Sequence, residues 1–113
     1  MGIKLSPRKI MMDTRDRATE LIGDKDKKLN EEKHLLDGYI SREELWACTT
    51  CNACVEACPI LIDPVSIILD MRRYLIMEES SGPADLNSMM TNMENNGAPW
   101  PFSSQDRMNW TKD

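Results

Sequence analysis

Four cysteines stand within eleven consecutive residues, and they are the only cysteines of this 113-residue chain. They are Cys48, Cys51, Cys54 and Cys58, with Pro59 directly after the last, so the spacing is C-x2-C-x2-C-x3-C-P. This is the ligand spacing of a cubane 4Fe–4S cluster, because each two-residue step lets the backbone curl around a small metal centre. The intervening residues leave backbone N–H groups free to donate to cluster sulfurs, and the proline ends the loop. The sequence therefore predicts that all four cysteines bind the cofactor as metal ligands.

Other uses of four thiols fit this spacing less well. Structural zinc usually takes two C-x2-C pairs with a longer spacer between them, and a disulfide framework does not pack four cysteines so densely. A thioredoxin-type dithiol would need a βαβ pattern nearby, which the sequence lacks. A catalytic cluster with an open iron would need only three cysteines and a substrate pocket. A zinc-stabilised structural or interaction module remains the alternative to an iron–sulfur cluster.

Composition narrows the classes of partner. The net charge of −5 and the absence of a basic stripe interleaved with aromatic residues argue against nucleic-acid binding. No apolar run approaches the length that membrane insertion requires. The chain has no Ser/His/Asp arrangement and no Gly-rich phosphate loop, so we expect no substrate site of its own. Free thiols without a signal segment predict the cytoplasm as the location.

The first forty residues predict one helix and a spacer. Ser6 and Pro7 form a helix start, with the serine as N-cap, and Gly23 is a natural stop. Residues 24–33 carry mixed charges and predict a linker or marginal helix. The expected apolar face of the first helix comprises Met11, Ala18, Leu21 and Ile22.

The remaining residues predict further helices around the cysteine loop. A capping box at Ser41 opens a short helix, and residues 52–57 predict another helical turn between the ligands. A strong amphipathic helix is expected over residues 65–79, capped by Asp63 and Pro64, and one more over residues 83–95. The apolar faces of these two helices are expected to contain Ile68, Met71 and Leu75, and Met89, Met90 and Met93.

Taken together, these patterns predict an all-α fold with about four to five helices around a cluster-binding loop. No segment alternates with the period of two that a strand requires. We expect one structural domain, divided into an N-terminal helix and charged linker over residues 1–40 and an iron–sulfur helical region over residues 41–113.

Several other side chains invite a functional interpretation. Trp46 is expected to shield the cluster from water. Two adjacent arginines, Arg72 and Arg73, either offset the cluster charge or contribute to a solvated face, and the sequence does not separate these alternatives. His34 is expected to lie at the surface. Trp100 and Phe102 are expected to pack against the methionine-rich helix, with partner docking as the alternative.

Two segments carry a resemblance to a known family. They are Leu45–Pro59, which holds the cysteine motif, and Asp70–Leu75, with sequence Asp-Met-Arg-Arg-Tyr-Leu. Both resemble the second cluster motif of heterodisulfide reductase C-like proteins and related iron–sulfur reductases, and Leu5–Met12 and Met93–Trp100 are similar to the same family. The resemblance implies an α-helical ferredoxin fold with two 4Fe–4S clusters. It also implies single-electron transfer between a flavoprotein or ferredoxin donor and a cysteine-rich reductase domain or partner subunit.

The chain departs from that family in one respect. The family carries an earlier four-cysteine motif upstream of the Leu-Ser-Pro-Arg segment, and this sequence lacks it, so we expect the chain to be a fragment of a longer oxidoreductase. In two-cluster ferredoxins the fourth cysteine of each motif ligates the other cluster. The resemblance therefore implies that Cys48, Cys51 and Cys54 hold the local cluster while Cys58 serves the second. We expect this chain to retain its cluster less well than a longer chain with both motifs.

Overall fold

The computed structural model describes residues 2, 4–23 and 33–112. Contacts group the chain into two compact units, Met1–Tyr74 and Leu75–Asp113. Regular structure in the described residues is helical throughout, with a single isolated bridge between Leu36 and Ile40 and no strand. The all-α prediction is confirmed. The division into regions 1–40 and 41–113 stays a prediction, and the predicted linker lies outside the described residues except for Lys33.

The helices follow one another closely along the chain. Two of them come in addition to the five helical segments described from the sequence: a single turn over Leu35–Gly38 and a 3-10 helix over Ser104–Thr111. In chain order they are α1 (Pro7–Gly23), α2 (Leu35–Gly38), α3 (Arg42–Ala47), α4 (Ala53–Glu56), α5 (Pro64–Met77), α6 (Ala84–Asn96) and a 3-10 helix (Ser104–Thr111).

Helix α1 begins and ends where the sequence indicates. The backbone N–H of Lys9 donates to Ser6 Oγ at 3.3 Å, as expected of an N-cap serine. The predicted buried face is wrong, because Ile10 and Arg17 are the buried residues while Ile22 is 86% exposed. The apolar pattern alone misplaced the buried face, because an arginine can bury its aliphatic stem while its charged group stays paired. Here the guanidinium of Arg17 lies 3.5 Å from the Glu20 carboxylate. The residues wrongly expected on the buried face are Ala18, Leu21 and Ile22.

Helix α3 is fixed at its start by a complete capping box. Ser41 Oγ accepts the Glu44 backbone N–H at 3.3 Å, and Glu44 Oε2 accepts the Ser41 N–H at 3.0 Å. Lys9 Nζ of α1 lies 3.1 Å from Glu44 Oε1. These contacts, the Ser41 N–H above all, lower the pKa of the Glu44 carboxyl below its usual value. The start of the helix that leads into the cysteine loop is therefore anchored to α1.

Replacing Ser41 by alanine should destabilise the fold by about 0.5–2 kcal/mol, because the substitution leaves a helix-start N–H without its acceptor. Urea unfolding followed by far-UV circular dichroism measures the change. Ser88→Ala is the matched control, since Ser88 is exposed within α6 and alanine favours a helix interior. Equal destabilisation by the two substitutions would contradict the importance of this cap.

Helix α5 contributes part of the hydrophobic core. Asp63 Oδ1 accepts the Ser66 backbone N–H at 3.0 Å, so the predicted Asp-Pro start is confirmed. The helix ends at Met77, two residues earlier than predicted. Met71 is only half-buried. Besides Pro64, the buried apolar side chains of the described residues are Ile10, Ile40, Leu45, Val65, Ile68 and Leu75.

In the second unit, the predicted helix over residues 83–95 is present, but the residues on its apolar face are not buried as predicted. Helix α6 ends at Asn96 and is capped by Gly97, which has φ 63 and donates its N–H to Met93 O at 2.9 Å. No residue of α6 is buried, so the expected methionine core is wrong: Met89 and Met93 are exposed. Helical spacing shows that these methionines share one face of α6. It does not show that another segment packs against that face. The expected packing of Trp100 and Phe102 is likewise wrong, because these side chains are 64% and 68% exposed.

Candidate metal centre

The four cysteines lie in the segment that connects α3 to α5. Cys48 is the residue that ends α3, with extended backbone angles. Cys54 lies in the single turn of α4, and Cys58 follows that turn. Cys51 is exposed and the other three cysteines are half-buried. The structure thus places all four predicted ligands in one loop between two anchored helices.

The backbone of this loop is strained around Cys51. Thr50 has φ 56 and Asn52 has φ 60, so a left-handed residue stands on each side of the cysteine. Leu61, after the last cysteine, has φ 55. A left-handed conformation costs a non-glycine residue about 1–2 kcal/mol, and for β-branched threonine it is an outlier. Strain of this kind concentrates at functional sites, where the local conformation serves a ligand.

Backbone N–H groups point at the sulfurs. The Thr50 N–H donates to Cys48 Sγ at 3.4 Å, and the Ile62 N–H donates to Cys58 Sγ at 3.4 Å. The Ala53 N–H, followed by the Thr49 side chain, lowers the pKa of the Cys51 thiol below its usual value. The thiolate is the form of cysteine that binds metal. Three of the four sulfurs therefore already have donors that stabilise negative charge on them.

A cavity of about 370 Å³ borders the loop, and the sulfur-bearing residues Cys54 and Cys58 both line it. Its remaining lining is apolar except for Arg8, and most of it comes from the start of α1. These other lining residues are Pro7, Arg8, Met11, Met12, Ile62 and Pro64. A low-polarity wall around thiolate ligands is what tunes the potential of an iron–sulfur cluster.

Within residues 2, 4–23 and 33–112, no three Cys, His, Asp or Glu side chains are arranged to hold a metal ion together. The loop nevertheless fits an iron–sulfur cluster in its chemistry: it has four thiols, N–H donors to sulfur and an adjoining apolar cavity. His34 is exposed before α2, as predicted.

The structure separates the two arginines that the sequence left equivalent. Arg72 is half-buried and donates to the carbonyl oxygens of Leu45 and Cys48. Its guanidinium carbon lies 4.9 Å from the centre of the Trp46 ring. Arg73, by contrast, has a side chain that is 67% exposed and pairs with Asp70 at 2.7 Å. One sequence signal could have found this difference, because Arg72 lies four residues after buried Ile68 and three before buried Leu75.

The family follows from a comparison with known protein families. The family model of the 4Fe-4S dicluster domain matches residues 6–62, which include α1 and the whole cysteine loop. The chain belongs to this dicluster family. Its cofactor is accordingly a 4Fe–4S cluster, and the predicted relationship to iron–sulfur oxidoreductases is confirmed.

Curated relatives of this dicluster chain are much longer proteins. It is 41% identical over 76 residues to a probable iron-sulfur-binding oxidoreductase, FadF, of Bacillus subtilis. The aligned residues cover 67% of this chain and 11% of the relative. It is 38% identical over 79 residues to an EtfAB:quinone oxidoreductase of Syntrophomonas wolfei, covering 70% of this chain and 11% of the relative. A heterodisulfide reductase C-like protein of Archaeoglobus profundus is 35% identical over 48 residues, covering 42% of this chain and 26% of the relative.

The chain thus spans 11% of the length of the first two relatives. No solved structure matches it. Among the described helices, none combines the length and the apolar character needed to cross a bilayer.

Proposed function

We propose that this chain is the electron-transfer module of a larger oxidoreductase of the heterodisulfide reductase type. In this proposal Cys48, Cys51, Cys54 and Cys58 are the cofactor ligands. The observation that carries it is the cysteine loop. Its four-cysteine motif is complete and lies within the match to the dicluster family, and the sulfurs of Cys48 and Cys58 accept backbone N–H groups. When bound, the cluster supplies the chemistry by accepting and releasing one electron at a time.

The chain's own residues bind and tune that cofactor. The N–H groups of Thr50 and Ile62 donate to ligand sulfurs and so stabilise the negative charge that each thiolate brings. The half-buried Trp46, directly after buried Leu45, limits the access of water to the loop. Nothing in these roles requires a bound substrate, which is consistent with a relay rather than a catalytic centre.

Crosswise ligation is part of the proposal. Cys48, Cys51 and Cys54 hold the local cluster, and Cys58 contributes to a second cluster whose other ligands belong to another segment. The match to the 4Fe-4S dicluster domain supports a second cluster, and the cavity that Cys58 lines extends to the start of α1. The pattern of fourth-cysteine exchange is that of two-cluster ferredoxins.

The partners we propose are a flavoprotein or ferredoxin donor and a cysteine-rich reductase domain or subunit. The relatives, two named as oxidoreductases and one as a heterodisulfide reductase C-like protein, support a redox partner in general terms. A reducing compartment, the cytoplasm, is the location we propose, because thiolate ligands are stable there. One relative, from Chromohalobacter salexigens, is named a probable membrane-anchored ferredoxin, so attachment of the whole protein to a membrane is compatible with this location.

Anaerobic reconstitution tests the proposal. The chain is incubated with ferrous iron, sulfide and a thiol reductant, desalted, and analysed for iron, sulfide and zinc, with visible absorbance and paramagnetic resonance after dithionite. We expect brown protein that holds iron and sulfide and a signal from one unpaired electron on reduction. The control is the same chain with serine at all four cysteine positions. Colourless protein that holds only zinc would instead establish the zinc-stabilised module and end the proposal.

A further inference from the structure

We propose that Arg72 of α5 is the positioning residue of the cluster site: it fixes the first ligand, Cys48, and its charge raises the reduction potential of the cluster. This inference rests on the proposed function, since it assigns a role toward the same cofactor. It concerns one side chain that contacts Leu45, Trp46 and Cys48, where α3 leads into the cysteine loop.

Arg72 satisfies carbonyl groups at the end of α3. A helix leaves its last four carbonyl groups without partners, and they are usually satisfied by a glycine-based cap, by water or by a basic side chain. Helix α3 has no such glycine, because Cys48 ends it with φ −74 and ψ 126. Arg72 supplies the missing donors: its Nε lies 3.0 Å from Leu45 O, and its Nη2 lies 2.5 Å from Cys48 O. One side chain thus joins the last turn of the helix to the first ligand.

The contacts of Arg72 with Leu45, Trp46 and Cys48, which we call the clamp, are rigid. A guanidinium group is planar and holds several donors in fixed directions, so it can bridge two carbonyl groups and stack on an aromatic ring at once. The Arg72 guanidinium carbon lies over the Trp46 ring, 4.9 Å from the ring centre, within the range of a cation–π contact. Lysine has a single charged nitrogen and no plane, so it cannot reproduce the three contacts together.

Arg72 also acts through the positive charge of its guanidinium group. The guanidinium bonds to the carbonyl of Cys48, whose sulfur is a proposed ligand, so its positive charge would lie near a cluster bound by that sulfur. Arg72 is half-buried, which weakens the screening of that charge by water. Reduction adds one electron to the cluster and changes no bond of the chain. A nearby positive charge stabilises the more negative, reduced form and so raises the potential.

The adjacent Arg73 provides the comparison. It has the same charge on the same helix, but its side chain is 67% exposed and is paired with Asp70 at 2.7 Å. A charge in this position is screened by solvent and by its partner. Any effect that depends merely on the net charge of α5 will therefore be the same for the two arginines, whereas an effect of the clamp belongs to Arg72 alone.

The experiment compares Arg72→Gln, Arg72→Lys and Arg73→Gln with the wild-type chain. Redox titration of the reconstituted proteins, followed by paramagnetic resonance, gives the potential. We expect Arg72→Gln to shift the equilibrium about tenfold toward the oxidised cluster, which for one electron is about 59 mV lower. Arg72→Lys keeps the charge and should recover most of that shift, while losing iron to a chelator faster than wild type. Arg73→Gln should match wild type in both measurements.

A second measurement needs no cofactor. Amide hydrogen exchange of residues 45–50 in the metal-free chain should be faster in both Arg72 variants and unchanged in Arg73→Gln, because Arg72 bonds to that backbone whereas Arg73 pairs with Asp70. Equal exchange in all four proteins would overturn the positioning role, and equal potentials for Arg72→Gln and Arg73→Gln would overturn the electrostatic one. If Arg72→Gln cannot retain a cluster, faster iron loss from Arg72→Lys than from Arg73→Lys is expected, and equal loss refutes the proposal. A wild-type chain that binds no cluster refutes the proposed function, whereas the exchange measurement still judges the positioning role of Arg72.

Discussion

Serine in place of Cys51 should lower the iron retained by the reconstituted chain by more than about tenfold, since losing even an outer-shell partner costs roughly 10–100-fold in metal affinity. Cys51 stands between two left-handed residues, Thr50 and Asn52. Its thiol has a lowered pKa because of the Ala53 N–H, so it is well prepared to bind as a thiolate. A serine hydroxyl keeps the size of the side chain but does not ionise under these conditions. Iron and sulfide analysis, together with visible absorbance, measures the loss.

Cys58→Ser is the matched variant for this experiment. If Cys58 serves a second cluster, its replacement should leave more iron on the 113-residue chain than Cys51→Ser does, and the remaining signal should keep the form it has in wild type. Equal and complete loss in both variants would show that one cluster uses all four cysteines, which contradicts crosswise ligation but not cluster binding. Full iron retention in Cys51→Ser would contradict the assignment of Cys51 as a ligand.

The features that the sequence predicted well are those that depend on local chemistry. Ser6 and Ser41 accept helix-start N–H groups because a short hydroxyl side chain suits that position wherever it occurs. Gly97 ends α6 because it adopts a positive φ at little cost. Cysteine spacing and the following proline likewise act over a few residues. Such features do not depend on what the segment packs against.

Burial depends on distant segments, and there the sequence was less informative. Periodicity placed Ile22 on the buried face of α1, but the buried position is held by Arg17, whose stem is apolar. The methionines of α6 share a face that stays exposed. Arg72 contacts carbonyl groups 27 and 24 residues earlier in the chain, and no local pattern reports such a contact. The clamp on the first ligand therefore became visible only in the structure.

Leu45→Ala should be strongly destabilising and should weaken cluster retention with it. The Leu45 side chain is completely buried, in the short helix that leads into Cys48. Truncating a buried leucine to alanine costs about 2–5 kcal/mol, because transfer energy is lost and a cavity remains. That is a large share of the roughly 5–15 kcal/mol by which a small domain is stable. Urea unfolding of the metal-free and reconstituted chains measures the change in the free energy of unfolding.

Leu61→Ala is the control for this last prediction. Leu61 follows the final cysteine, and its side chain is 75% exposed, so its truncation should change the unfolding free energy by no more than about 0.5 kcal/mol. Cluster binding is linked to folding when the ligands come together only in the folded chain. Leu45→Ala should therefore also release iron faster to a chelator, whereas Leu61→Ala should not. Similar stabilities for the two variants would mean that the buried leucine of α3 does not anchor the cysteine loop, and that the loop is held by its ligands and by Arg72 instead.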